Sequence, residues 1–294
     1  MLFGRREIRN KALTPERSED YRMRIVANSI PKSGTNLLAR LLTLLGFEQT
    51  SEMGIRSRLV AGPFASARKL LRARSKEKVT IGVTSPQRID RRWLERRLSR
   101  VDDGQFVTAH CVYSPELASL FAGERMRVVC ILRDPRDVAV SQMHHIKNRS
   151  EHFAHEAFLK LPSDHERLLH SIRGGELGGR RLQSLDERYR QFLGWQDAHN
   201  AMMVKFEDLV GPKGGGSVET QRRTVERVAR HVGLEPDERM MRTVEENIFG
   251  VSDTFRKGQI GGWREEFSEE HARSAREIAG PLLVELGYEA DPEW

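Results

Sequence analysis

The amino-acid sequence predicts an α/β protein with a central, mostly parallel sheet covered by helices on both faces. Short apolar runs alternate along the chain with longer amphipathic segments, the pattern of strands joined by helical crossovers. One run, at 24–30, passes through a tight turn directly into a leucine-rich helix. Lys32, His110 and Arg133 all fall just after, or near the end of, a predicted strand, and open parallel sheets bind ligands outside the carboxyl ends of their strands.

Residues 1–22 read as an N-terminal extension, basic but with no apolar core behind it, so a secretory signal is not expected. Residues 23–290 read as a single domain, of a size that one large α/β core with helical insertions fills. The strand at 24–30 leads through Pro31, Lys32, Ser33 and Gly34 into a helix over 35–45. So abrupt a turn aims several backbone N–H groups and the positive helix end at one spot, which suits phosphate. Lys32 adds a charge there, and Ser33 and Thr35 add hydroxyls. This is not a Walker loop, which needs Gly, four residues, then Gly-Lys-Ser/Thr; Pro31 stands directly before the lysine.

The intervals 51–85 and 149–179 are poorer in strand signal. A strand at 105–112 carries His110 near its end. Another at 127–132 ends in Arg133, Pro135 breaks it, and a helix over 137–147 carries Ser141. A helix at 181–198 and a strand at 201–206 follow. The run Gly211-Pro-Lys-Gly-Gly-Gly216 reads as a flexible surface loop, since no strand runs directly into it. Helices are predicted at 218–231, 236–246 and 269–286, with a glycine-rich loop, Phe255-Arg-Lys-Gly-Gln-Ile-Gly-Gly-Trp263, between the last two.

Bulk properties narrow the class. With 31% charged residues and no run near the roughly 18–20 apolar residues of a membrane span, no transmembrane segment is expected, and the expected location is cytoplasmic. Cys111 and Cys130 lie in apolar, strand-like runs and read as core residues in a reducing compartment. No Cys/His spacing suggests zinc, and no metal is expected. The net charge of +7 suits a nucleic-acid or acidic-membrane binder, or equally an enzyme with a multiply charged donor. The basic cluster at 88–98 interleaves acids and apolar residues as a solvated helix face does.

Three stretches, Ile25 to Leu42, Met126 to Ser141 and Phe255 to Trp263, resemble in sequence and order the motifs of the nucleotide-dependent sulfotransferase family. The donor of that family is 3′-phosphoadenosine-5′-phosphosulfate (PAPS), and the resemblance runs from about Arg24 to about Phe267. It implies a P-loop-NTPase-like three-layer fold and transfer of a sulfuryl group from PAPS to an acceptor hydroxyl, or an amine, releasing 3′,5′-ADP. In the family the first motif grips the 5′-phosphosulfate, which assigns Lys32, Ser33, Gly34, Thr35 and Asn36 to the donor. The second and third grip the 3′-phosphate, which assigns Arg133, Ser141, Arg256, Lys257 and Gly258; a structural pair of Arg133 with Asp134 or Asp137 stays open beside that role. Phe249 resembles the family's adenine-side phenylalanine. Lys32 is expected to offset charge on the departing bridging oxygen.

The acceptor must lose a proton, which calls for a base with a pKa near working pH. His110 resembles the base of cytosolic members, although Thr108 stands where relatives often carry lysine. Other branches use a glutamate near the first helix, which keeps Glu48 and Glu52 open, Glu52 being the better placed. Relatives commonly have an adenine-stacking tryptophan where this chain has Asn36 and Leu37, and a tyrosine where it has Phe206. The family's dimer motif after Trp263 survives only in its basic first position, Arg264, so dimerisation by that mode is not expected. The intervals 51–85 and 149–179 correspond to segments that shape the acceptor pocket in this family, and few aromatics fall there. That favours a carbohydrate or lipid-linked hydroxyl over a flat phenol, with nucleic acid not expected as a partner. The competing readings are a catalytically idle nucleotide-binding relative and a P-loop kinase.

Overall fold

The computed structural model describes residues 23–50, 55, 77–83, 86–249 and 258–294. Glu52, Arg256, Lys257 and the extension at 1–22 therefore lie outside the described residues. The described strands are β1 (Arg24–Ser29), β2 (Glu48–Gln49), β3 (Lys78–Ile81), β4 (Gln87–Asp90), β5 (Gln105–Ala109), β6 (Met126–Leu132), β7 (Gly175–Leu177), β8 (Arg180–Leu182) and β9 (Ala201–Lys205). Five form the central sheet in the order β2-β5-β1-β6-β9, and every pairing is parallel. β3–β4 and β7–β8 are separate antiparallel hairpins.

Side chains alternate across a strand with period two, so the buried strands feed two cores. Ile25, Ala27, Val129 and Ile131 face one layer, where they meet Leu38, Leu41 and Leu42 of α1 (Thr35–Leu44) and Val225 and Val228 of the helix Val218–His231. Val26, Val107, Val128 and Cys130 face the other. That layer holds Leu94 of α2 (Arg91–Leu98), Leu117 of α3 (Pro115–Gly123), Val138 of α4 (Pro135–Asn148) and Leu282 of the helix Glu269–Glu285. This is the expected three-layer α/β arrangement. Each fully buried leucine of α1 contributes roughly 2 kcal/mol. Cys111 and Cys130 are unbridged and buried, and desolvation raises both thiol pKa values, that of Cys111 to about 12.

Three expectations change. The strand predicted at 105–112 stops at Ala109, which places His110 just past its end. The helix predicted at 181–198 begins only at Leu185, because Gly178 and Gly179 turn the β7–β8 hairpin and a Ser184–Glu187 capping box starts the helix late. It runs to Leu193 and gives way to a 3₁₀ turn at Gly194–Asp197. The glycine run at 211–216 lies at the surface as expected, with Pro212, Lys213 and Gly215 exposed, but it is anchored rather than loose. Gly214 is buried, its carbonyl accepts the Ile260 N–H at 3.0 Å, and a Cβ there would lie 2.3 Å from Val210 Cγ2 and 2.8 Å from the Gly258 carbonyl oxygen. The run is a brace packed against the third motif.

Candidate active site

The strand register brings the predicted residues to one end of the sheet. In β1, Asn28 pairs with Ala109 of β5 and Ser29 with Ile131 of β6. The chain after β1, His110 after β5 and Arg133 after β6 thus leave three adjacent strands at one edge, with neighbouring strands about 4.8 Å apart.

The turn after β1 is tightly determined. Ser33 is fully buried; its N–H donates to the Ile30 carbonyl at 3.1 Å, and its hydroxyl lies 2.7 Å from that oxygen and 2.9 Å from the Ile131 carbonyl. Ser33 therefore pins the turn to β6. Gly34, the N-cap of α1, has φ 114°, and a Cβ there would sit 2.9 Å from Phe206 Cδ2 and 3.0 Å from Ile131 Cδ1. No side chain caps α1. Its first-turn N–H groups have no intrahelical acceptor, since the first helical bond runs from Leu38 N–H to the Gly34 carbonyl. Lys32 adopts φ 76°, rare for a residue with a side chain. Asn36 is exposed on the first turn of the helix.

His110 is held from β1. Its Nδ1 lies 2.9 Å from the Ser29 carbonyl oxygen and 3.1 Å from Ser29 Oγ, which is 2.7 Å from Thr35 Oγ1. A carbonyl only accepts, so Nδ1 carries the proton, which in the neutral ring puts the lone pair on Nε2, the tautomer a base requires. Glu48 lies elsewhere: it pairs with Gln105 at the start of β5, about 16 Å of strand from His110.

Arg133 sits between the second and third motifs. Its Nη2 donates to the Gln259 carbonyl at 2.8 Å and lies 3.3 Å from Asp137 Oδ2, while the guanidinium covers the Phe206 ring at 4.5 Å. Its Nε is buried with no acceptor among the described residues. Asp137 also accepts the Gly261 N–H at 3.0 Å and the Trp263 N–H at 2.9 Å. One carboxylate thus ties the start of α4 to the glycine-rich loop. Burial pushes the Asp137 carboxyl pKa up, against the pull of Arg133. Ser141 lies one helical turn beyond Asp137 on the same helix and is partly buried. Gly258, with φ 59°, packs over Gly214, and Phe249 packs at the edge of the α1-side core.

Behind Arg133 lies a buried polar shell. Arg136, 1% exposed, holds Asp134 with Nη2 at 2.8 Å and pairs with Glu289; its guanidinium lies 4.1 Å from the Trp263 ring and 4.4 Å from that of Trp294. Glu207 accepts the Asp134 N–H and the Tyr288 hydroxyl, each at 2.9 Å, and desolvation raises its pKa to about 7. Tyr189 donates to the Arg133 carbonyl at 2.6 Å. Arg136, Glu207 and Ser29 are residues around the candidate site that sequence reasoning missed, whereas Asp137, left open by the sequence as a partner of Arg133, makes that pair. Adjacency to Arg133 was a signal for Arg136, and adjacency to the Lys32 turn for Ser29, whereas Glu207 had none.

A sulfotransferase-domain family model matches residues 23–287. The chain belongs to the sulfotransferase domain family. Sulfotransferases of this family carry out PAPS-dependent sulfuryl transfer, and that activity follows for this member. The fold agrees with solved sulfotransferase structures. Mouse sulfotransferase SULT7A1 complexed with PAP is 15% identical, with a TM-score of 0.56 over 89% of this chain and 85% of that one. Retinol dehydratase is similar in two complexes. With androsterone and the inactive cofactor PAP, identity is 19% and TM-score 0.52, covering 88% of this chain and 80% of the other. With retinol and PAP the values are 18% and 0.54, covering 92% and 82%. No curated protein sequence matches the chain. Among the described residues, no helix of this sulfotransferase is long and apolar enough to cross a membrane.

Proposed function

We propose that the protein moves the sulfuryl group of PAPS to a hydroxyl on a carbohydrate or lipid-linked acceptor, with His110 as base and Lys32 at the leaving group. The observation that carries this reading is the single edge shared by the Lys32 turn, the Nδ1-protonated His110 and Arg133. The residues fit the donor. An uncapped helix N-terminus beside a lysine suits the 5′-phosphosulfate. The buried, unpartnered Nε of Arg133, with Ser141 on the neighbouring helix, suits the 3′-phosphate. Arg256, Lys257 and Gly258 would complete that contact, and Phe249 would line the adenine side. When bound, PAPS supplies the SO₃ group and leaves as 3′,5′-ADP.

The roles follow from the side chains. Lys32 brings an ammonium to the turn, where it offsets negative charge as the bridging S–O bond breaks. His110 takes the acceptor's proton at Nε2, and the Ser29 carbonyl stabilises the resulting imidazolium through Nδ1–H. Thr35, through Ser29 Oγ, links the first turn of α1 to the His110 ring. Ser33 and Gly34 set the backbone on which these groups stand.

Calorimetric titration with 3′,5′-ADP, using 5′-AMP and ATP as controls, tests the donor site. Binding should require the 3′-phosphate, and tighter binding of ATP would refute the assignment. Lys32→Ala and His110→Ala should each lower transfer at least about 100-fold with unchanged circular dichroism. Substantial transfer by either variant would remove that residue from its role.

A further inference from the structure

The positive charge of this chain is concentrated in one stretch. Residues 56–100 hold fourteen Lys or Arg against three Asp or Glu, a net +11, so the remainder of this +7 chain is net acidic. The described unit within that stretch is the β3–β4 hairpin with α2. Its inner side buries Val79, Ile81, Ile89, Leu94 and Leu98. Its outer side exposes Arg88, Arg92 and Arg96 at four-residue spacing. The two helical arginines stand about one 5.4 Å turn apart, and Arg88 is exposed on β4 just before the helix.

The carboxylates of the unit are engaged elsewhere. Asp90 caps α2 through the Trp93 N–H at 2.7 Å, Glu95 pairs with Arg91 at 2.8 Å, and Glu77 lies 4.0 Å from the same guanidinium. Arg88, Arg92 and Arg96 form no ion pair among the described residues. Nor does the unit carry a membrane-inserting side chain: the exposed large hydrophobics among the described residues are Leu159 and Val218. A row of guanidinium groups without apolar anchors fits a hydrated polyanion rather than a lipid surface.

We infer that this row is an exosite for a polyanionic glycan, the sulfated portion of a polymeric acceptor. The inference rests on the carbohydrate acceptor proposed above. Each transfer adds a sulfate ester, and with it a negative charge, to the acceptor. A basic track outside the catalytic turn would hold the modified part of the polymer while the next sugar meets His110. The α2 end of the track is separate from the donor contacts, because Arg24 Nη1, at the start of β1, reaches the Leu98 carbonyl at 3.4 Å. The C-terminal end of α2 therefore lies by the sheet edge opposite Lys32.

The test compares the whole protein with its R88E/R92E/R96E variant, binding sulfated dextran, unsulfated dextran, a single-stranded oligonucleotide and phosphatidylserine vesicles at one ionic strength. Wild type should bind sulfated dextran in a salt-sensitive manner and leave unsulfated dextran unbound. The variant should lose more than tenfold in that affinity while keeping its affinity for 3′,5′-ADP. Equal binding of sulfated dextran by both proteins overturns the exosite. Tighter binding of the oligonucleotide or the vesicles than of sulfated dextran overturns the glycan assignment. Transfer from labelled PAPS to neutral oligosaccharides reads the underlying acceptor proposal separately: sulfation of no sugar, with docking intact, overturns that proposal and leaves a basic polyanion surface.

Discussion

Replacing Asp137 with asparagine separates positioning from simple stability. The carboxylate accepts two backbone N–H groups, from Gly261 at 3.0 Å and Trp263 at 2.9 Å, and faces Arg133 at 3.3 Å. Asparagine keeps the volume and one acceptor oxygen, but its amide nitrogen must face either an N–H or the guanidinium. One charge-assisted hydrogen bond is lost, about 1.5–3 kcal/mol. Desolvation already opposes the charged carboxylate here, so the lower half of that range applies, about 2 kcal/mol. If that energy holds Arg133 and the third-motif loop in register for the 3′-phosphate, affinity for 3′,5′-ADP falls about thirtyfold, at 1.4 kcal/mol per decade. Affinity for 5′-AMP, which lacks that phosphate, should change little. Calorimetry with both nucleotides reads the difference. Unchanged 3′,5′-ADP affinity, or an equal loss for both nucleotides, would refute the idea that Asp137 orders the 3′-phosphate contacts.

Two further outcomes follow from the site. Gly34→Ala places a Cβ 2.9 Å from Phe206 Cδ2 at φ 114°, costing about 1–3 kcal/mol in backbone strain and about as much again in overpacking; in a double-mutant cycle Phe206→Leu should recover part of it, and the absence of coupling would show that the contact is not the cause. The Glu207 pKa stands at about 7 in the folded protein against an ordinary 4.5, so the folded state binds more protons between those values and this group's stabilisation fades as pH rises from about 4.5 through 7. Wild type should lose about 3 kcal/mol relative to Glu207→Gln across that window in denaturant titrations, and a pH-independent difference would sink the assignment.

The strand–turn–helix at Lys32 was legible because its signals are local: an apolar run, a proline and a glycine, then leucines at helical spacing. The placement of His110 and Arg133 at one end of the sheet was legible by the same logic, His110 near the end of a predicted strand and Arg133 just after one. What escaped the sequence depends on contacts between distant segments. Asp137 reads only as a candidate local partner of Arg133 until Gly261 and Trp263 are seen to donate to it. Arg136 has no local signal of burial, yet it is buried between Trp263 and Trp294, more than a hundred residues away. Glu207 is a buried acid only because Tyr288 and the Asp134 N–H converge on it. The glycine run at 211–216 misled for the same reason. Low side-chain content suggests looseness, whereas here it permits the close approach of Gly258.

The left-handed backbone of Lys32 has a cost that falls outside catalysis. Glycine would occupy φ 76° without steric penalty, whereas lysine gives up on the order of 1 kcal/mol to stay there. A directed-evolution screen that scored only heat resistance would therefore favour glycine at position 32, and the winning clones would have discarded the ammonium. In engineering this scaffold, the leaving-group role proposed for Lys32 puts position 32 among the residues frozen before any stability library is drawn.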